Sequence, residues 1–188
     1  MPQLLDWQAL RKSLLPTHSQ GLINSAIPAA VLLAILDADP VQILLTRRSD
    51  ELKDHSGQVA FPGGRVEKGE SFESAALREA LEEVGLKSEQ ARVLGFLPTL
   101  TTGTGFSIVP VVAQIAPPFD FVRDPFEVAE IFCVPFSFLM NPKNHKKRRM
   151  FLNGQWREFW AISYNDHFIW GATAHILRDL FLHLQNPR

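Results

Sequence analysis

The spacing of apolar and polar residues predicts both helices and strands in this chain. Two continuous apolar runs, at 29–36 and 41–46, flank a turn cluster at 37–40, which predicts a hairpin of two buried strands. Leucines at roughly helical spacing predict a short helix within 4–15. Helices and strands do not alternate regularly, so the predicted fold class is α+β with a mixed or largely antiparallel sheet. The other predicted elements are strands at 58–61, 92–97, 108–115 and 128–134, a helical turn at 136–140, a second hairpin at 148–152 and 155–162, and a closing helix at 172–184.

Residues 71–84 form the best-defined predicted helix. Ser71 can cap its first turn, and Glu73 lies where a negative charge complements the helix dipole. Gly85 follows at the position where a helix commonly ends in a left-handed residue. One side of the helix carries an apolar stripe that can pack against a sheet, made of Phe72, Ala76, Ala80 and Val84.

Three glutamates share the other side of this helix. Glu79, Glu82 and Glu83 stand at i, i+3 and i+4, and like charges at this spacing destabilise an isolated helix. Hard cations such as Mg²⁺ prefer carboxylate oxygens together with substrate phosphate and water. The acidic face therefore predicts a divalent cation site, with a solvated helix face as the alternative.

Composition and charge exclude several classes of protein. The chain has 188 residues with 19 Lys+Arg against 20 Asp+Glu, so the net charge of -1 disfavours a nonspecific nucleic-acid binder. The single cysteine, Cys133, excludes an intramolecular disulfide and is interpreted as a small buried hydrophobe. The first residues lack the apolar run of a signal peptide, and the run at 27–36 is too short for a membrane span of about 20 residues. We expect one cytoplasmic domain over 1–188, with 1–25 as an N-terminal helix and connector, and no nucleic-acid or membrane partner.

Residues 64–86 combine the acidic helix with fixed glycine and arginine positions. The segment resembles a complete Nudix box, G-x5-E-x7-R-E-U-x-E-E-x-G-U, in which U is aliphatic and Ala80 is the small residue at the first such position. This resemblance implies an α/β/α sandwich with a mixed central sheet and a catalytic loop–helix–loop. It also implies hydrolysis of a nucleoside diphosphate linked to a further group. The positions that match are Gly64, Glu70, Arg78, Glu79, Glu82, Glu83, Gly85 and Leu86.

The same resemblance assigns roles to individual residues. Arg78 and Glu70 are expected to orient and brace the site through an ion pair. The proton acceptor is left open between Glu82 and Glu127, and Glu127, which precedes a predicted strand, has a solvated loop acid as its alternative interpretation. The residues implied as ligands of Mg²⁺ or Mn²⁺ are Glu79, Glu82 and Glu83.

The segment before the box narrows the substrate class. Residues 44–49 read Leu-Leu-Thr-Arg-Arg-Ser, and Lys53, Gly57 and the Phe-Pro-Gly-Gly of 61–64 follow. This is similar to the signature of the coenzyme A pyrophosphatase branch, L-L-T-x-R-S-x3-R-x3-G-x3-F-P-G-G, with Lys53 in place of the last arginine. Later matches extend the resemblance over about 29–184. It implies cleavage of coenzyme A or a derivative to 4′-phosphopantetheine and adenosine 3′,5′-bisphosphate.

Substrate contacts are predicted for Arg48, Lys53, Gly63 and Gly64. Neighbouring strand residues point to opposite faces, so only one of Arg47 and Arg48 can face the site, and the signature favours Arg48. The 3′-phosphate of coenzyme A needs positive charge, which Arg48 and Lys53 are predicted to supply. The alternatives are a Nudix enzyme for ADP-ribose, NADH or an oxidised nucleotide, and a noncatalytic Nudix-fold binding module, which usually lacks box glutamates.

The second predicted hairpin has a basic run and tryptophans. Residues 146–149 are all Lys or Arg and are interpreted as a solvated face, with a clamp on an extra substrate phosphate as the alternative. Trp156, Trp160 and Trp170 are interpreted as packing residues, with stacking on adenine as the alternative for one of them. The predicted partner is a small-molecule nucleotide of the coenzyme A class, and a homodimer is one allowed assembly.

Overall fold

The computed structural model describes residues 5–17, 26–51, 56–152 and 154–185, which form helices and strands packed in layers. The α-helices are α1 (Trp7–Ser13), α2 (Phe72–Val84), α3 (Phe136–Leu139) and α4 (Gly171–Gln185). The strands are β1 (Ile27–Leu36), β2 (Gln42–Arg48), β3 (Val59–Ala60), β4 (Gly63–Arg65), β5 (Ala91–Phe96), β6 (Leu100–Thr101), β7 (Phe106–Ile115), β8 (Val128–Pro135), β9 (Lys146–Leu152), β10 (Gln155–Tyr164) and β11 (His167–Trp170). No helix within these residues is long and apolar enough to cross a membrane.

The larger sheet is mixed, as expected. Its order is β3-β2-β1-β7-β5, and β4 pairs with β1, β6 with β7 and β8 with β2. Strand β1 runs parallel to β7 along its whole length, from Ile27 opposite Phe106 to Leu36 opposite Ile115. Strands β9, β10 and β11 form a separate antiparallel sheet.

The predicted hairpin of the first two strands is only partly present. Strands β1 and β2 pair at Ile35 with Ile43 and at Leu36 with Gln42, next to the turn. Beyond that point β1 pairs with β4, and β2 pairs with β3 and β8. The two strands therefore diverge, and the β3–β4 segment that carries Gly63 and Gly64 lies between them.

Alternating residues of β1 divide the apolar core into two layers. Leu33 and Ile35 pack on the face covered by α1 and α4, and Leu32 and Ala34 pack on the face covered by α2. Side chains on both faces are fully buried, which is typical of a strand between two helical layers. The α/β/α sandwich is confirmed.

The N-terminal helix is shorter than predicted. It begins at Trp7 because Asp6 caps it, its carboxylate accepting the backbone N–H groups of Gln8 and Ala9 at 3.0 Å. The predicted range extends to residue 15, but Leu15 is extended and exchanges two backbone hydrogen bonds with Phe96. Tertiary pairing with β5 ends the helix there, and the start of the predicted range lies outside the described residues.

Short strands are the elements that the sequence pattern does not predict. Strands β4 and β6 have two or three residues, too few to display a period of two, and β11 follows β10 after a tight turn. The second hairpin is confirmed, with Gln155 opposite Leu152, although Asn153 of its predicted turn lies outside the described residues. Every β9 side chain is exposed, as the solvated interpretation of the basic run expected.

Candidate active site

Helix α2 is fixed at both ends and along one face. The Ser71 hydroxyl accepts the backbone N–H of Ser74 at 3.0 Å, and Gly85 ends the helix in the left-handed conformation at φ 68°. The predicted apolar stripe is buried against the sheet, from Phe72 to Val84. This packing determines where the acidic side of the helix lies relative to β1 and β4.

Two glycines allow β4 to approach both the sheet and the helix. A Cβ on Gly63 would overlap the carbonyl oxygen of Ala30 in β1, and a Cβ on Gly64 would overlap the carboxylate of Glu79. The Gly64 backbone therefore lies directly against an acidic side chain of α2. Close approach of backbone and carboxylate explains why glycine is needed at these positions.

Glu83 is the most deeply buried acid of the site. It is 3% exposed, and burial is the main cause that raises its pKa to about 8. The carboxylates of Glu127 and Glu79 raise this pKa further, while the Arg48 guanidinium and the backbone N–H of Gly63 lower it. A buried carboxylate beside two others has a large unfavourable charge energy unless a cation compensates it.

Strand β2 directs one arginine into the site and the other away from it. The Arg48 guanidinium lies 3.8 Å from Glu83, whereas Arg47 lies 3.3 Å from Asp50 and 3.6 Å from Glu130. The β2–β8 register shifts between these two arginines. The prediction that only one of them faces the acidic helix is confirmed, and it is Arg48.

Arg78 links the site through one guanidinium group. It donates to both carboxylate oxygens of Glu70, at 3.0 and 3.2 Å, and to the backbone carbonyl of Arg65 at 3.1 Å. It also donates to Glu79 at 2.9 Å and to Glu82 at 3.1 Å. The expected Arg78–Glu70 ion pair is confirmed, and its hydrogen bond lowers the pKa of Glu70. The Arg65 contact uses a backbone oxygen, which a side-chain pattern cannot reveal.

The acidic side chains fit a divalent cation by their chemistry but do not form a preformed cluster. Within the described residues, no three His, Cys, Asp or Glu side chains are grouped so that they could hold a metal ion. Arg78 holds Glu79 and Glu82, and Glu83 faces Arg48. Even so, burial is the main cause that raises the pKa of both Glu79 and Glu83, and the charge of Glu127 raises the pKa of each further. A bound Mg²⁺ or Mn²⁺ would relieve the mutual repulsion of these carboxylate oxygens.

The structure brings together nearly all the residues predicted for the site. Glu82 is largely exposed at the outer side of α2, and Glu127 precedes β8, where its carbonyl accepts the backbone N–H of Ser49 at 2.9 Å. Lys53 lies outside the described residues. The residues found around the acidic face are Arg48, Gly63, Gly64, Glu70, Arg78, Glu79, Glu82, Glu83 and Glu127.

Comparison with known families agrees with this geometry. The NUDIX domain family matches residues 26–153. The chain belongs to the Nudix hydrolase family. This Nudix hydrolase is 39% identical to the NudL Nudix hydrolase of Citrobacter koseri over 181 residues, 96% of this chain and 94% of the relative. It is 38% identical to NudL of Photorhabdus laumondii over 172 residues, 91% of this chain and 92% of the relative.

Solved structures show the same fold. RenU, a Nudix hydrolase from M. smegmatis, is 28% identical with a TM-score of 0.51, over 60% of this chain and 72% of RenU. A Deinococcus radiodurans protein is 15% identical with a TM-score of 0.55, over 87% of this chain and 88% of its own. The two NudL relatives therefore match more of this chain than RenU does.

A methyl group on Gly64 is expected to impair this Nudix hydrolase with little unfolding. In Gly64→Ala the new Cβ would displace the Glu79 carboxylate, so we expect kcat to fall by about tenfold to a hundredfold, as for a small misplacement of a catalytic group. Steady-state kinetics with thermal melting measures both effects. Gly69→Ala is the control for activity: its Cβ has open space, but its φ of 84° is left-handed, so it should lose about 1 kcal/mol of stability and keep its kcat. Equal kcat in Gly64→Ala and the unchanged protein would contradict the assignment.

Proposed function

We propose that the chain is a Mg²⁺- or Mn²⁺-dependent pyrophosphatase of coenzyme A or its derivatives, yielding 4′-phosphopantetheine and adenosine 3′,5′-bisphosphate. The observation that carries the proposal is the buried Glu83 carboxylate, which accepts the backbone N–H of Gly63 and is acted on by the charges of Glu79 and Glu127, with Gly64 directly against Glu79. This grouping favours a cation and a polyanionic substrate over an apolar one. Membership of the Nudix hydrolases supports pyrophosphate hydrolysis.

The substrate class is supported by the segment upstream of the catalytic helix. In β2, the strand of the predicted coenzyme A signature, Arg48 lies beside Glu83. Its Nε is buried without a hydrogen-bond partner in the described structure, so the guanidinium retains donor capacity for an oxygen of the diphosphate. We therefore propose that Arg48 contacts the pyrophosphate itself. The Gly63–Gly64 backbone borders the same position.

The residues around the diphosphate have separate tasks in the proposed mechanism. Glu79, Glu82 and Glu83 would hold the divalent metal, which would supply charge neutralisation for the diphosphate and a lower pKa for the attacking water. Arg78, anchored by Glu70, positions the acidic helix face against β4. The alternative proton acceptors remain Glu82 and Glu127, and Glu127 is the better placed. It has no ion pair among the described residues, whereas Glu82 is bound by Arg78.

Replacing the proposed proton acceptor should lower kcat more than it changes binding. We expect Glu127→Gln to reduce kcat by roughly a hundredfold, the lower range for loss of a general base, with KM within about threefold. The fold should be retained because Glu127 is exposed and its structural contact is made by the backbone. Glu130→Gln is the matched control on β8. A larger loss in Glu82→Gln than in Glu127→Gln would assign the proton acceptor to Glu82 instead.

A substrate panel tests the proposed function directly. Free, oxidised and acylated coenzyme A are compared with ADP-ribose, NADH and an oxidised nucleotide, at several Mg²⁺ and Mn²⁺ concentrations. We expect the highest kcat/KM for a coenzyme A species. We expect no hydrolysis of any substrate in excess chelator. Better turnover of ADP-ribose than of any coenzyme A species would overturn the substrate class. Binding of coenzyme A without hydrolysis in either metal would indicate a noncatalytic module.

A further inference from the structure

Two arginines flank the turn between β6 and β7, and neither belongs to the acidic face. The Arg65 guanidinium lies over the Phe106 ring, 5.7 Å from its centroid. On the other side, a Cβ built on Gly103 would lie 3.6 Å from Nη1 of Arg157. Both arginines are exposed, and within the described residues neither forms an ion pair.

This turn connects the catalytic segment to a cavity. The backbone carbonyl of Arg65 accepts from Arg78, so Arg65 extends outward from the catalytic segment. Phe106 is bonded across the turn to Thr102, whose backbone N–H donates to the Phe106 carbonyl at 2.8 Å. Thr102 and Gly103 in turn line an open cavity of about 420 Å³ together with Trp160 and His175. The β6–β7 turn therefore lies between Arg65, which is bonded to the catalytic segment through its backbone, and the cavity next to Arg157.

Three other cations in or beside the hairpin already have partners. Lys147 pairs with Glu158 across β9 and β10, and the Arg149 guanidinium lies over the Trp156 ring, 4.9 Å from its centroid. Arg178 lies over Trp160 at 3.8 Å in the same way. Among the cations near the cavity, Arg157 thus retains its full charge and all its donors for an anion.

The anion that suits this arrangement is a phosphate monoester. It carries close to two negative charges and accepts paired hydrogen bonds from the guanidinium fork. Coenzyme A has such a group on its ribose, separate from the diphosphate that is cleaved. Trp160 also lines the cavity, with the Arg178 guanidinium over its ring.

We propose, on the basis of the proposed function, that Arg65 and Arg157 bind the 3′-phosphate of the substrate at the β6–β7 turn. Arg157 lies on β10, the strand that pairs with β9 and its basic run. It also lies beyond residue 153, the last residue that the NUDIX domain family matches. Strand β10, which lies beyond the matched residues, would thereby contribute to specificity for a phosphorylated nucleoside. This assignment replaces the sequence-based expectation that Arg48 binds the 3′-phosphate, because Arg48 lies 3.8 Å from Glu83 and is proposed to contact the diphosphate.

The test compares coenzyme A with its 3′-dephospho form. For the unchanged protein we expect kcat/KM to be higher on coenzyme A, and Arg157→Gln should narrow that ratio by about tenfold, the loss of one charge-assisted pair. The change should appear in KM rather than kcat, and turnover of the dephospho form should be unchanged. Arg65→Gln should narrow the ratio as well. Arg92→Gln, on an exposed and unpaired arginine of β5, is the control and should leave it unchanged.

Product inhibition provides a second measurement. Adenosine 3′,5′-bisphosphate should inhibit more strongly than AMP, and Arg157→Gln should remove most of that difference. If the unchanged protein prefers coenzyme A and the Arg65→Gln and Arg157→Gln variants keep that preference, the assignment of these two arginines is overturned. No preference between the two forms would overturn 3′-phosphate recognition as a whole. In both cases hydrolysis of coenzyme A would still support the proposed function, which fails only if another substrate class is preferred.

Discussion

Replacing Glu83 by Gln is expected to lower kcat by at least about a thousandfold, equivalent to roughly 4 kcal/mol of transition-state stabilisation. Gln keeps the shape and can still accept the backbone N–H of Gly63, but it removes the charge that a divalent cation would need. The activity of the unchanged protein should also disappear in excess chelator and return with added Mg²⁺ or Mn²⁺. Full activity in excess chelator would contradict the metal assignment.

The same substitution should stabilise the metal-free protein at alkaline pH. The pKa of Glu83 is raised from 4.5 to about 8 in the folded state, mainly by burial. Between these values the folded state holds a proton that the unfolded state has released, so this group lowers stability as pH rises. The slope is at most about 1.4 kcal/mol per pH unit, and Glu83→Gln removes it.

Chemical unfolding in chelator at pH 5 and pH 8.5 measures this effect. We expect Glu83→Gln to be close to the unchanged protein at pH 5 and more stable than it at pH 8.5. Glu73→Gln, an exposed substitution in the first turn of α2, is the control and should show no such difference. If Glu83→Gln loses activity but is no more stable than the unchanged protein at pH 8.5, burial of the charged Glu83 carboxylate does not destabilise the metal-free protein.

Replacing Arg78 by Ala is expected to reduce both stability and turnover. The substitution takes the Arg78 guanidinium from Glu70, which is 14% exposed at the side chain and keeps only its other bonds such as that from the Glu67 N–H, and it removes the cation between Glu79 and Glu82. Removing one partner of a half-buried, hydrogen-bonded ion pair costs about 1–3 kcal/mol. We expect a matching fall in the free energy of unfolding and a decrease in kcat of about a hundredfold.

Thermal melting with steady-state kinetics separates the possible roles of Arg78. Arg78→Lys should recover part of the stability, since it restores charge but not the fork that binds both Glu70 oxygens. Glu70→Gln and the double variant complete a thermodynamic cycle, in which the two substitutions should be clearly non-additive. If Arg78→Ala retains its melting temperature while activity falls sharply, Arg78 contacts substrate and the bracing role is wrong.

The local chemistry of the catalytic segment could be predicted from the sequence because it depends on residues close together in the chain. Helix α2 has its cap, its apolar stripe and its terminal glycine within 15 positions, and the acidic face follows from helical periodicity alone. Strand periodicity likewise predicts that Arg47 and Arg48 reach different partners, as they do, although the β2–β8 register shifts between them. Nothing distant in the chain was needed for these predictions.

Pairing between distant segments was decided by the tertiary structure. The apolar runs of β1 and β2 predict a hairpin, yet β1 gains a longer parallel partner in β7 and separates from β2 beyond the turn. A parallel partner 70 or more positions away leaves no local signal, because apolar runs of similar length are interchangeable in a sequence pattern. The divergence of the two strands is what admits β4 to the site.

The charge environment of the site was likewise a tertiary outcome. The sequence determined that Glu79, Glu82 and Glu83 share a helix side and that Arg78 stands among them. It did not distinguish the buried Glu83 from the exposed Glu82, nor place Arg48 against Glu83. Burial and charge depend on which side chains from other segments occupy the same volume, so only the packed sheet, helix and β4 together decided which carboxylate lies in the interior.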